Sequence, residues 1–157
     1  MSKKKAWMTA VTVGLVFVMA LAVPAMAVEK PPTPTEIKGG KVISTDETKA
    51  LLDKKEAKFF DLRSPVGYGK GHLPGAVSLP YKEKSEYVAD FDTSVDEFDM
   101  STLSKDKNTK MVFYSHGPTG WKSYKAAVLA IKAGYKNVMW YRGGIDEWEA
   151  KGYPLEK

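Results

Sequence analysis

The chain has 157 residues, 43% of them hydrophobic and 27% charged, with a formal net charge of +5, which is enough for one domain around one core. It contains no cysteine, and this excludes disulfides, thiolate metal sites, a lipoprotein anchor on cysteine and any cysteine nucleophile. Setting aside Lys3, Lys4 and Lys5, which lie in a segment expected to be removed, 21 basic side chains stand against 19 acidic ones, and that balance implies no nucleic-acid or membrane patch.

Residues 1–27 read as a secretory signal. Lys3 to Lys5 form a basic head, an uncharged apolar run follows, and Ala25-Met26-Ala27 fits small-x-small cleavage. A mature start at Val28 and a periplasmic location are expected, with no membrane attachment after cleavage. Residues 28–41 read as a linker, since Pro31, Pro32 and Pro34 favour extended chain and Gly39-Gly40 closes it. Its expected role is to lift the domain, residues 42–157, off the cleavage site.

Val42-Ile43 suits a short strand. Ser44 or Thr45 can cap a helix over residues 46–54. The apolar run at residues 58–62 reads as a buried strand. Residues 63–74 read as loop, because Pro65, Gly67, Gly69, Gly71 and Pro74 punctuate them. A short strand over residues 76–79 ends at Pro80. Residues 81–110 read as a solvated acidic excursion pinned by Tyr87, Phe91 and Phe98, with a lid or a partner surface as the functional alternative.

Residues 111–127 organise the rest. Met111 to Tyr114 is a short run of strand formers. Gly117, Pro118 and Gly120 mark a tight loop. From Trp121 the chain turns helical, with Tyr124, Ala127, Val128 and Ile131 on one face. Residues 137–141 suit another strand, Gly143-Gly144 a turn, and residues 146–151 a short helix with Trp148 inward. No internal repeat is present. Alternating strands and helices with short connections predict an α/β domain, a mainly parallel sheet flanked by helices. In such sheets ligands gather at the carboxyl ends of the strands, so the loops starting at Ser115 and Arg63 are expected to meet.

Three groups of residues resemble the rhodanese-like domain family. The first is Asp61-Leu62-Arg63, Tyr68 and Gly71-His72-Leu73-Pro74-Gly75-Ala76. The second is Val112-Phe113-Tyr114, a loop, then Ser123 and Ala126-Ala127. The third is Gly134-Tyr135, Asn137-Val138 and Arg142-Gly143-Gly144 through Trp148. The resemblance implies the three-layer rhodanese fold and a sulfurtransferase site directly after the Met111 strand. There the family's cysteine takes sulfane sulfur from thiosulfate and hands it to a thiol or cyanide. This chain has Ser115 at that position. Its loop is longer than the usual sulfurtransferase loop, and Trp121 and Lys122 stand where an arginine is usual. The resemblance makes His72 a structural ligand of its own loop.

A serine hydroxyl needs an adjacent general base to act as a nucleophile. His116 is next in sequence, but neighbours on extended chain point opposite ways. The loop of His116, Gly117, Pro118, Thr119, Gly120, Trp121, Lys122 and Ser123 leads into a helix N-terminus, where backbone N–H groups favour an anion. A small anion of the thiosulfate, sulfate or phosphate class is therefore the expected ligand, with a protein partner the other possibility. Asp61 and Arg63 are expected to fix their loop beneath the Ser115 loop. The two histidines are too few for a metal site, and no cofactor is expected. Two functions follow: a binding module without sulfur turnover, or a sulfurtransferase whose cysteine has been substituted by Ser115.

Overall fold

Strand alternation divides the core in two. In the computed structural model, which describes residues 29–157, Phe60, Met111, Phe113, Val138 and Trp140 face one side of the sheet. Their neighbours Phe59, Val112, Tyr114 and Tyr141 face the other. Side chains of a strand alternate between faces, so a sheet buried on both faces needs apolar residues at nearly every position. The Met111 strand meets that demand, with all four of its residues buried. Residues 1–27, read as a secretory signal, lie outside the described residues.

The elements follow in chain order. They are β1 (Lys41–Val42), α1 (Thr45–Asp53), β2 (Lys58–Asp61), α2 (Pro65–Lys70) and β3 (Val77–Ser78). After these come β4 (Met111–Tyr114), α3 (Trp121–Lys132), β5 (Val138–Tyr141) and α4 (Gly144–Ala150). The sheet order is β1-β5-β4-β2-β3, and each described strand pair is parallel. The fold is thus the expected α/β sheet flanked by helices. On the first face lie α3 and the 81–110 excursion, through Trp121, Tyr124, Ala127, Tyr81 and Phe91. On the second lie α1 and α4, through Leu51, Leu52, Ile145 and Trp148.

Ser44 caps α1 in a reciprocal capping box with Glu47. One expected loop is different. Within residues 63–74, α2 forms, capped by the Ser64 side chain with Pro65 in its first turn. A serine cap followed by proline at the first helical position is a start signal. It outweighs the two glycines for six residues, after which Gly71 ends the helix.

The linker also differs. Residues 30–34 are neither helix nor strand, in keeping with three prolines that lack backbone donors, yet they lie along the domain. Thr33 is buried, and Ile37 joins the core. The excursion is less solvated than its composition suggests. Phe91 is buried, while Tyr87 and Phe98 pack against the core. At its centre the Asp96 side chain is fully buried opposite Lys125 of α3, which is fully buried too.

Candidate functional site

The register of the central strands sets the site. Asp61 pairs with Tyr114 and Tyr114 with Tyr141, so three strands end at one level. The loops after them leave from the same edge of the sheet. Ser115 is the first residue beyond that edge and is 1% exposed.

Its hydroxyl is held by the protein itself. Ser115 Oγ donates to the Gly120 carbonyl at 3.0 Å and lies 2.8 Å from Ser123 Oγ. Ser123 Oγ also reaches the Gly120 carbonyl, at 3.0 Å, and accepts from Trp140 Nε1 at 3.1 Å. Among these partners there is no base. His116 is the adjacent residue, but its ring is exposed and makes no hydrogen bond among the described residues. Partial desolvation of that ring, with Arg63 nearby, sets its pKa below the ordinary histidine value.

The loop spends part of its backbone on itself. The Gly120 N–H donates to the Gly117 carbonyl at 2.7 Å, and the Trp121 N–H to the Thr119 carbonyl at 3.1 Å. Two amides expected to face an anion are therefore engaged, and the Gly120 carbonyl points at the serine instead. Gly120 has to be glycine: a Cβ there would sit 2.3 Å from Ser115 Oγ and 2.8 Å from the Gly117 carbonyl oxygen. Lys122 is half-buried in the first turn of α3 and has no ion-pair partner among the described residues.

Two outside segments clamp the loop. From the α4 side, the Ile145 and Asp146 N–H groups donate to the Ser115 and His116 carbonyls, each at 2.9 Å. From the N-terminal side, the Thr33 N–H and Oγ1 both donate to the Pro118 carbonyl, at 2.8 and 2.7 Å.

The loop after β2 is held separately. Asp61 and Arg63 are both buried. Arg63 forks onto the Asp61 carboxylate, with Nη2 to Oδ2 at 2.6 Å and Nε to Oδ1 at 3.0 Å. Nη2 also donates to the Gly71 carbonyl at 2.6 Å. His72 stacks on Tyr68 with ring centroids 3.7 Å apart, and its Nδ1 donates to the Tyr68 carbonyl at 3.2 Å. Its own backbone pairs with Glu156. The link between this loop and β4 is Tyr114, whose hydroxyl accepts from the Leu73 N–H at 3.1 Å. Burial, with Asp61 beside it, drives the Tyr114 pKa far up and keeps the phenol neutral.

Two elements of the site, Thr33 and the α4 amides, lay beyond sequence reasoning, as did the buried Lys125 under the excursion. Thr33 stands among prolines that look like a spacer, and the α4 contact is made by backbone. Lys125 follows Trp121 by four residues on one helical face, a weak signal when the side chain is a lysine.

The rhodanese-like domain pattern matches residues 44–151. The tRNA uridine(34) hydroxylase of Erwinia tasmaniensis is 33% identical over 111 residues, covering 69% of this chain and 28% of that protein. The protein of the same name from Photorhabdus laumondii is 30% identical over 117 residues, covering 73% and 30%. The chain thus spans less than a third of the length of these two relatives. Thiosulfate sulfurtransferase from Pseudomonas aeruginosa superposes with a TM-score of 0.54 at 27% identity, over 74% of this chain and 20% of that one. BH2092 from Bacillus halodurans superposes with a TM-score of 0.57 at 20% identity, over 74% and 76%, a likeness of fold alone. The matched stretch runs from the cap of α1 to the end of α4 and takes in the strand, turn and helix around Ser115, so this chain belongs to the rhodanese-like domain family.

Proposed function

We propose that this chain is an exported rhodanese-like domain that works by binding and does not turn over sulfur. One observation carries the reading. The side chain at the family's nucleophile position is a buried hydroxyl, held by the Gly120 carbonyl and Ser123, with no base in contact among the described residues. A serine without a base stays protonated and is a poor nucleophile. The ligand class at the loop is a small oxyanion such as sulfate, thiosulfate or phosphate. Lys122 and the first turn of the 12-residue helix α3 favour it. Each contributes on the order of 0.3–1 kcal/mol when exposed, together about 2 kcal/mol at most, so the dissociation constant should be on the order of tens of millimolar. The hydroxylase activity in the relatives' names belongs to proteins of which this chain covers only 28% and 30%, and it is not part of the proposal.

The test is a thiosulfate:cyanide sulfurtransferase assay on the purified chain. Activity should equal that of a boiled control, and clear turnover would overturn the reading. Sulfate should shift the amide resonances of residues 115–123 saturably, and no shift at roughly ten times the expected constant would remove the anion from the proposal.

A second reading has its own support. Similarity to the Pseudomonas aeruginosa sulfurtransferase at 27% identity favours a sulfurtransferase whose cysteine is replaced by Ser115. In that case Ser115→Cys alone should confer thiosulfate-dependent thiocyanate formation. A reactive thiol without turnover would favour the binding reading.

A further inference from the structure

The segment at residues 30–34 is bound as a ligand is bound. It carries three prolines and forms neither helix nor strand, yet its polar contacts reach several parts of the domain. At its head, the Lys30 ammonium pairs with the Glu83 carboxylate and stands 4.7 Å from the centroid of the Tyr87 ring. The Tyr87 ring leans against Trp121, with centroids 6.0 Å apart. Next, Trp121 Nε1 donates to the Pro31 carbonyl at 2.8 Å. Thr33 then donates twice to the Pro118 carbonyl. Arg142 closes the far end, with Nη2 to the Thr33 carbonyl at 3.0 Å and Nε to the Pro34 carbonyl at 3.0 Å. An aromatic donor and a guanidinium reading the carbonyls of a preformed extended chain, with a separate acidic pocket for a cation, is the chemistry of proline-rich peptide recognition.

One atom shows spare capacity. Glu83 Oε2 is buried and has no hydrogen-bond partner among the described residues. Oε1 takes Lys30. An ammonium engages one oxygen here, whereas a planar guanidinium can engage both.

We propose that this groove across the Ser115 loop is a peptide-binding site, filled here by the chain's own N-terminal segment, and that its partner is an extended proline-containing segment headed by a basic residue. The cis segment also holds the loop shut, because Thr33 is anchored on Pro118 within it. A tethered ligand has a high effective concentration, so a partner competes only by better contacts, and arginine at the head supplies one. The proposal rests on the reading that this domain works by binding, and it names the partner.

The test uses the chain from Val28 to Lys157 with Lys30→Ala and Thr33→Ala together. Amide hydrogen exchange is followed with and without a synthetic peptide of residues 28–36. The doubly substituted chain should expose the amide at position 33 and those of Gly120 and Trp121, with exchange about tenfold faster, while the β4 amides stay protected. Peptide at about 1 mM should restore protection at Gly120 and Trp121 while position 33 of the chain stays open, and the peptide with arginine at the position of Lys30 should do so at lower concentration. Glu83→Gln in the otherwise unchanged chain should open the same amides from the groove side. The proposal is overturned if position 33 stays protected, if it opens without Gly120 and Trp121, or if β4 opens equally. It is also overturned if the peptide has no effect, or if the unchanged chain proves dimeric with the segment exchanged between copies. Thiosulfate turnover does not enter these readings, so failure of the binding function and failure of the groove are told apart.

Discussion

Gly144 shows how one residue sets the site. Its φ is +61°, and a Cβ there would lie 2.4 Å from the His116 carbonyl oxygen and 2.6 Å from the Ser115 carbonyl oxygen. The clash is with backbone, so no rotamer relieves it. Gly144→Ala should therefore cost about 2 kcal/mol or more, by adding strain at positive φ to overpacking. A fall in the thermal midpoint measures it, and an unchanged midpoint would mean that α4 does not clamp the loop. Ser115 makes the complementary case. Its hydroxyl has two protein partners, so Ser115→Ala strands no charge and should cost about 1 kcal/mol by denaturant titration.

At the scale of elements, the excursion and α3 are joined by buried charge. Asp96 accepts from the Lys84 and Ser85 amides, from Ser85 Oγ and from the Tyr81 hydroxyl, and it faces Lys125 at 3.8 Å. Burial alone would raise the carboxyl pKa, but these donors outweigh it and set the value at about 2, below the ordinary 3.8. The folded value is depressed, so its contribution is complete above the unfolded pKa and is lost as pH falls from about 4 to about 2. Stability should drop by on the order of 1–2 kcal/mol across that window, read as the urea midpoint against pH. Asp96→Asn should remove this part of the pH dependence and cost about 3 kcal/mol at neutral pH, because it leaves the buried Lys125 with only the more distant Glu83 carboxylate as counter-charge. A pH profile unchanged by Asp96→Asn would show that the excursion is held by Tyr87, Phe91 and Phe98 alone.

For the whole molecule, the proposed export with cleavage would leave a new N-terminus beside the site. The cleavage point expected after Ala27 lies three residues before Lys30, which pairs with Glu83. N-terminal sequencing of protein from the periplasmic fraction should read Val28 first. A start at Met1 or Ser2 in the membrane fraction would overturn export with cleavage.

How much was legible in the sequence follows from the range of each interaction. β4, α3, β5 and the Ser44 cap were readable because periodicity and capping act over a few residues. The family, and Ser115 at its nucleophile position, were readable from three ordered groups of residues. The segment at 30–34 was not, because proline content predicts its extended backbone and not what it touches. Its contacts to Glu83, Pro118, Trp121 and Arg142 span from 53 to 109 positions of the chain. The burial of Lys125 and Asp96 was also hidden, since nothing local distinguishes a solvated charge from a buried one. Local patterns along the chain suffice for the parallel α/β sheet, the position of the site loop and the absence of a thiol there. That the loop folds onto its own serine, and that the segment at 30–34 lies across it, depends on groups far apart in the chain that folding brings together.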